Sequence, residues 1–395
     1  MDVFVHIPKS SGSTIRAILS REYGVKSILY FEPGSGEWKK SASSPAEFLK
    51  NRLSKRNINL ITGHHPFGIH SILKSPCRYF SVMRDPIDRV LSDYYYAFTY
   101  SHHRQREEII SGELTLSEFM TSNKYSHGSE QTAMLAGNFS SLEGSVQTAI
   151  ENIQNSFAMV GTAERFDESI LLISKALGWK PPLYIMKNVT KLDSDKQVDR
   201  ASARAHAHGH YTQYFREDYA VYRAADSLLS QFISAEGQSF QRALEAFREI
   251  QHELAGRAEE RIFELYEFQE DDRLPDFAAE FVGSSSYRAI EDYLAQSTVL
   301  PPPAKNYVGK IDSLGPGPIL GWAGDLSSPR PIHVTIWRSG EKIATVPCAI
   351  RRNDLLEAGF NTGEMGFKTV LQDPITNSDE YSICFDDSAI RVPSN

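Results

Sequence analysis

The feature that most constrains this chain lies at its start. Asp2-Val3-Phe4-Val5-His6-Ile7 is apolar and rich in β-branched residues, and Pro8 closes it. Lys9-Ser10-Ser11-Gly12-Ser13-Thr14 follows as a run of small residues, and Ile15-Arg16-Ala17-Ile18-Leu19 opens a helical pattern. A strand over 2–7 that turns directly into a helix leaves the first N–H groups of that helix without intrahelical acceptors. Those N–H groups, with the helix dipole behind them, make an anion site. Gly12 lets the backbone approach a ligand, Ser10, Ser11, Ser13 and Thr14 offer hydroxyls, and Lys9 adds a full charge. The order differs from the GxxxxGK[ST] loop of nucleoside triphosphatases, because the lysine precedes the only glycine.

The next segments extend the pattern. Short strands are expected at 59–62, ending in Gly63-His64-His65-Pro66, at 79–83, ending in Arg84-Asp85-Pro86, and at 156–160. Helices follow the third strand, through Val90, Leu91, Tyr94 and Tyr95, and the fourth, over 167–177. Asp85 suits the cap and Pro86 the first turn of the helix after the third strand. Strands alternating with helices predict an α/β fold, a parallel sheet flanked by helices with ligands at the carboxyl ends of its strands. Arg84 stands at such an end, where its guanidinium can fork onto a phosphate while Ser92 donates from the helix face; pairing with Asp85 or Asp88 is the alternative.

Charge agrees with an anionic ligand. Residues 1–106 carry 16 Lys and Arg against 8 Asp and Glu, whereas the whole 395-residue chain has a net charge of −8. A basic first quarter on an acidic protein points to an anion bound there. With no extended basic run, nucleic acid is not an expected partner. The three cysteines, Cys77, Cys348 and Cys384, show no CxxC spacing, so no disulfide framework or metal site is expected. No apolar run suffices to span a membrane, and no secretory signal precedes the first strand, so a cytoplasmic location is expected.

Beyond Asp226 the pattern becomes helical, with Phe240, Leu244, Phe247, Ile250, Leu254, Ile262 and Leu265 at three- to four-residue spacing. Such a stripe packs on its own core or, as a lesser reading, supports a homo-oligomer through helices 236–270. Residues 271–305 read as a connector ending in Pro301-Pro302-Pro303. Five short alternating segments after residue 306 then predict a β-sandwich module. The expected domains are 1–235, a helical extension and Pro-rich connector over 236–305, and the β module over 306–395. Trp322 and Trp337 are expected in the core of that module rather than as sugar platforms, and the module is read as an acceptor-positioning or assembly unit.

HIPKSSGST at 6–14 and YFSVMRDPIDRVLSDYYY at 79–96 together resemble sulfotransferases that use 3′-phosphoadenosine-5′-phosphosulfate (PAPS). The resemblance is to the carbohydrate branch that includes heparan and dermatan uronyl 2-O-sulfotransferases. It covers about residues 1–235 and implies the P-loop-like sulfotransferase fold. It implies that Lys9, Ser10, Ser11, Gly12, Ser13 and Thr14 hold the 5′-phosphosulfate, and that Arg84 and Ser92 hold the 3′-phosphate. It further implies that the Gly63-His64 element supplies a general base, His64, with Lys9 stabilising the leaving phosphate. The product nucleotide would be 3′-phosphoadenosine-5′-phosphate (PAP), and no metal is called for. His65 and His70 are expected as acceptor contacts or surface residues. Residues 130–137 and 160–166 look like further landmarks of the family, and Asp218-Tyr219-Ala220-Val221-Tyr222 resembles one of its helices. The segment holding His206, His208 and His210 reads as a mobile loop, with Arg200 and Arg204 as a lid. Ser11 and the Ser13-Thr14 order depart from the family pattern while keeping the hydroxyls. The leading expectation is sulfuryl transfer to a hydroxyl, on a carbohydrate or glycoconjugate. The alternatives are a catalytically silent nucleotide- or glycan-binding scaffold, and a nucleotide kinase.

Overall fold

A computed structural model describes the chain except residues 36, 122–127, 138–144, 187–193, 261–279, 297–304, 329, 361–362, 372, 374, 387, 389 and 395. Five parallel strands form the central sheet: β1 (Asp2–Val5), β2 (Ile28–Tyr30), β3 (Leu60–Gly63), β4 (Arg78–Met83) and β5 (Phe157–Thr162), in the order β2-β3-β1-β4-β5. β1 is central because Val3, Phe4 and Val5 are fully buried on both faces, as a parallel strand must be. Its register sets Val5 beside Gly63 on one side and Ser81 on the other, so three strand ends lie level. The loops after β3, β1 and β4 therefore emerge side by side where the strand order reverses, which is where α/β sheets bind ligands.

The helices follow in chain order: α1 (Gly12–Tyr23), α2 (Pro45–Leu53), α3 (Ile69–Leu73), α4 (Pro86–Tyr96), α5 (Arg106–Ser111), α6 (Leu116–Thr121), α7 (Glu130–Ala136), α8 (Ser145–Asn155), α9 (Phe166–Leu177), α10 (Ser194–His210), α11 (Arg216–Glu260), α12 (Ser285–Leu294) and α13 (Asn353–Glu357). Asp85 caps α4, accepting from the Ile87 and Asp88 N–H groups at 3.0 Å each, with Pro86 in the first turn as expected. The strict alternation of β1 sorts the two cores. Phe4 packs with α1 and α9 on one face, and Val3 and Val5 with Ile69, Met134 and Ile153 on the other.

Two expectations are corrected here. The 226–270 helix is longer at its start, and Gly237 (φ 63°) breaks it in the middle. Phe240, Leu244, Phe247, Ile250 and Leu254 are buried in the same core as Phe4, as the leading reading of the stripe expects; Ile262 and Leu265 lie outside the described residues. The expected connector contains α12, whose Tyr287, Ile290 and Tyr293 complete that core; Pro301–Pro303 lie outside the described residues. Where the chain kinks, Glu236 pairs with Lys175 in the interior, and the Lys175 ammonium sits 4.2 Å from the Tyr293 ring centre.

The C-terminal part is antiparallel, as the alternation predicts. It consists of β6 (Tyr307–Ser313), β7 (Ile319–Asp325), β8 (His333–Arg338), β9 (Glu341–Pro347), β10 (Ile350–Arg351), β11 (Glu364–Thr369) and β12 (Tyr381–Phe385). They form sheets of order β10-β11-β7-β6 and β12-β8-β9, which enclose Ile319, Val334, Ile336 and Phe367. This module docks against the amino ends of the central strands. The Asn306 carboxamide accepts from the Cys77 N–H at 2.7 Å, just before β4, and the Asn155 carbonyl, just before β5, accepts from the Lys305 N–H.

Candidate active site

The loop between β1 and α1 is held in an uncommon conformation. Lys9 (φ 64°) and Ser11 (φ 60°) both lie in the left-handed region without being glycine, which costs roughly 1–3 kcal/mol each and persists where surrounding structure imposes it. Gly12 is required by contact: a Cβ there would fall 1.6 Å from Nε2 of His6. The His6 ring lies stacked on Phe4 beneath the loop, with centroids 5.4 Å apart. Burial and the neighbouring His64 push its pKa down to about 3, so it is neutral. The Ser10 hydroxyl is buried and has no hydrogen-bond partner among the described residues. Thr14 is buried at the start of α1, and Ser13 is half-buried beside it. A buried hydroxyl without an acceptor or donor is costly unless something else satisfies it.

Lys9 rests its ammonium 3.3 Å from the centre of the Tyr96 ring. Burial is the main cause that lowers its pKa to about 8; Asp93 opposes the shift, while Arg84 and Arg200 add to it. The lysine thus sits among other cations, with part of its hydration removed.

Arg84 lies beside this loop and donates from Nη1 to the Lys9 carbonyl at 3.0 Å. The two separated motifs therefore meet. Among the described residues Arg84 makes no ion pair: Asp85 is occupied as a helix cap, and Asp88 receives two hydrogen bonds from Arg204 at 2.6 and 2.7 Å. The Arg84 backbone is clamped by Gln131, whose Oε1 accepts from Arg84 N–H at 3.0 Å while its Nε2 donates to the Arg84 carbonyl at 2.9 Å. Buried Asp218 fixes Gln131 in turn, accepting from the N–H groups of Gln131 and Thr132 and from the Thr132 hydroxyl. Burial raises the Asp218 pKa to about 6, against the pull of Arg89. Glu164 accepts from the Asp85 N–H at 2.9 Å, and Glu130 pairs with buried Arg89 at 2.6 Å. Ser92 is buried on α4 and has no hydrogen bond to Arg84 or Lys9 among the described residues.

His64 follows Gly63 at the end of β3. Its Nδ1 lies 2.8 Å from the His6 carbonyl oxygen. A carbonyl only accepts, so Nδ1 carries the proton and Nε2 keeps its lone pair. That lone pair faces partly open space, with Glu32 Oε1 3.9 Å away. The rings of His6 and His64 are 4.4 Å apart. His65 and His70 are not surface residues. His65 is fully buried, with Nδ1 3.1 Å from the Pro66 carbonyl, and burial lowers its pKa to about 4. His70 is buried between the Tyr79 hydroxyl at 2.7 Å and the Tyr307 carbonyl at 3.0 Å, so it serves the contact with the β module.

The histidine-rich segment is helix rather than loop. On α10, His206 and His210 stack at 4.1 Å, one turn apart, and His208 lies 3.2 Å from Asp88. Asp85, Asp88 and His208 come close enough to suggest a cation site, yet Asp88 is already neutralised by Arg204. Arg204 is therefore fixed to α4. Arg200 lies over the Tyr95 ring at 5.5 Å and acts electrostatically on both Lys9 and Arg84.

Three residues that brace the crevice carried no assigned role in the sequence: Gln131, Glu164 and Asp218. They fall inside the segments noted as family landmarks, and that was the signal available. Their contacts span 47, 79 and 87 residues.

A parallel sheet with a hydroxyl-rich loop, an arginine corner and a histidine at one reversal of strand order is the architecture of a sulfotransferase-type α/β protein. The sequence model of the galactose-3-O-sulfotransferase family matches residues 2–262, two thirds of the chain, and the chain belongs to that family. The carbohydrate branch suggested by the two motifs is thereby supported, and the match takes in all of α11 and stops short of the β module. A search of curated proteins finds no match. No helix among the described residues is long and apolar enough to cross a membrane.

Proposed function

We propose that this protein transfers a sulfuryl group from PAPS to a hydroxyl of a saccharide and releases PAP. The observation that carries the reading is the meeting of Lys9 and Arg84 across one hydrogen bond, although 75 residues separate them. Two cationic corners side by side suit a donor with phosphate at both ends. The residues fit the group: Ser10 has a buried hydroxyl awaiting a partner, Gly12 opens the loop, and the first turn of α1 presents N–H groups.

When bound, the donor supplies the sulfuryl group and a phosphate leaving group. The chain's residues do the rest. Lys9, freed from the Tyr96 ring, meets the charge that grows on the leaving oxygen, and the loop N–H groups share it. Ser10, Ser11, Ser13 and Thr14 hold the 5′ end, while Arg84, with Ser92, holds the 3′-phosphate. His64 takes the acceptor proton at Nε2, since Nδ1–H is committed to the His6 carbonyl. Glu32 lies where a carboxylate steadies the imidazolium so formed.

His64→Ala should lower kcat by about 10²–10⁴-fold and leave PAP affinity unchanged. Incubation with labelled donor and a panel of galactosides and other glycans, read by mass spectrometry, tests the transfer itself. Binding of PAP without any sulfated product would favour the scaffold reading, and turnover of ATP the kinase reading.

A further inference from the structure

A second concave site lies far from the crevice. Between the sheet domain and the β module is an open cleft of about 990 Å³. Phe67, Gln147 and Glu151 stand on the sheet-domain side, and Tyr307, Trp322 and Trp337 on the other. We propose that this cleft binds a saccharide chain of two or more units, as an anchor separate from the transfer site.

Three observations carry the proposal. The first is the orientation of the aromatic residues. On β8 the side chains of Val334 and Ile336 fill the core of the module, whereas Trp337 stays half-buried and lines the cleft. Trp322 is half-buried too, with its ring packed on Phe360 at 4.9 Å. The expected core place holds for Trp322, which packs against Val308, Leu355, Phe360 and Met365 while its edge lines the cleft, and is corrected for Trp337. A half-exposed ring in a cleft offers an apolar face with polar groups around it, and the C–H face and hydroxyl rim of a sugar have the same character.

The second is the polar wall. Gln147 donates to Glu151 at 2.8 Å, and Glu151 is itself buried at the cleft. A carboxamide and a carboxylate side by side offer both donors and acceptors to hydroxyls. The volume stands at the upper end of pockets built for small ligands, which suits more than one ring.

The third is rigidity. His70 donates from Nε2 to the Tyr307 carbonyl and accepts from the Tyr79 hydroxyl, which ties both walls together. The cleft is thus preformed at the amino ends of the strands. Lys9 and Arg84 stand at the opposite ends, roughly 20 Å away along six residues of strand. One sugar ring cannot occupy both places.

The choice of a saccharide rests on the sulfotransferase reading, so binding is measured without donor. The intact chain is titrated with β-linked galactotetraose, cellotetraose and maltotetraose, followed by tryptophan fluorescence and calorimetry. At least one should bind, with affinity reduced tenfold or more in Trp337→Ala. Ser71→Trp, at an exposed position on α3 that lines the cleft, should block binding to the same extent while leaving turnover of a methyl galactoside unchanged. Failure of all three tetrasaccharides to bind overturns the proposal. So does binding that survives Ser71→Trp, whatever Trp337→Ala does, and so does binding that is abolished by Lys9→Ala. Tetrasaccharide binding without any sulfated product sinks the transfer reading and leaves this one standing.

Discussion

The two strand-to-helix corners of the crevice are built on opposite principles. At the first, the chain accepts cost: two non-glycine residues sit in left-handed backbone, a buried hydroxyl has no partner among the described residues, and a lysine is held on a tyrosine face with its pKa near 8. At the second, the chain spends buried polar groups on order. Gln131 grips Arg84 by both backbone groups, Asp218 grips Gln131, and Glu164 holds the N–H of Asp85. The contrast teaches that two neighbouring corners of one crevice need not be equally rigid. On the proposed reading, one corner stays incomplete until an anion completes it, and the other is finished beforehand.

The largest test of this contrast is Lys9→Ala, which should cut kcat by about 10²–10³-fold with a much smaller change in PAP affinity, measured by steady-state rates and calorimetry. Equal losses in both would make the first corner a mere binding site. Next comes Gln131→Leu, which removes both hydrogen bonds to the Arg84 backbone. We expect about 1–3 kcal/mol lost in urea unfolding and PAP affinity down by about tenfold or more, with kcat at saturating donor little changed. A smaller effect is set by pH. The anion favours protonated Lys9, whose free pKa is about 8, so PAP affinity should fall as pH rises through that value, by no more than about tenfold per unit. Lys9→Arg should flatten the profile over the same range. The smallest is Ser10→Ala, where the unliganded protein should lose no stability, because the hydroxyl makes no bond to any described residue, while PAP affinity drops about three- to tenfold.

Much of this was legible in the chain because the first corner is consecutive. Strand, loop, glycine and helix follow one another in residues 2–19, and local chemistry suffices to read them. Arg84 with its Asp85-Pro86 cap was legible for the same reason. What escaped was either very short or very distant. β2 has three residues, too few to show a period, so Glu32 went unnoticed beside His64. α10 was hidden by its alternating Ala-His pairs and Gly209, which read as loop although i, i+4 stacking and the Arg204–Asp88 pair hold the helix against α4. Five of the seven strands described in the C-terminal module showed their alternation. β6, interrupted by Gly309, Lys310 and Asp312, and the two-residue β10 did not. Gln131 and Asp218 are polar residues on helices, and nothing in their spacing announces that they meet.

His6 leaves one last consequence. Its ring forbids any side chain at position 12, and its main-chain oxygen accepts the hydrogen bond that holds the proton on Nδ1 of His64. A displacement of the loop on loading would thus re-aim the imidazole without any messenger between them. Loop shape and imidazole orientation share one cause, and a substitution of His6 would disturb both at once.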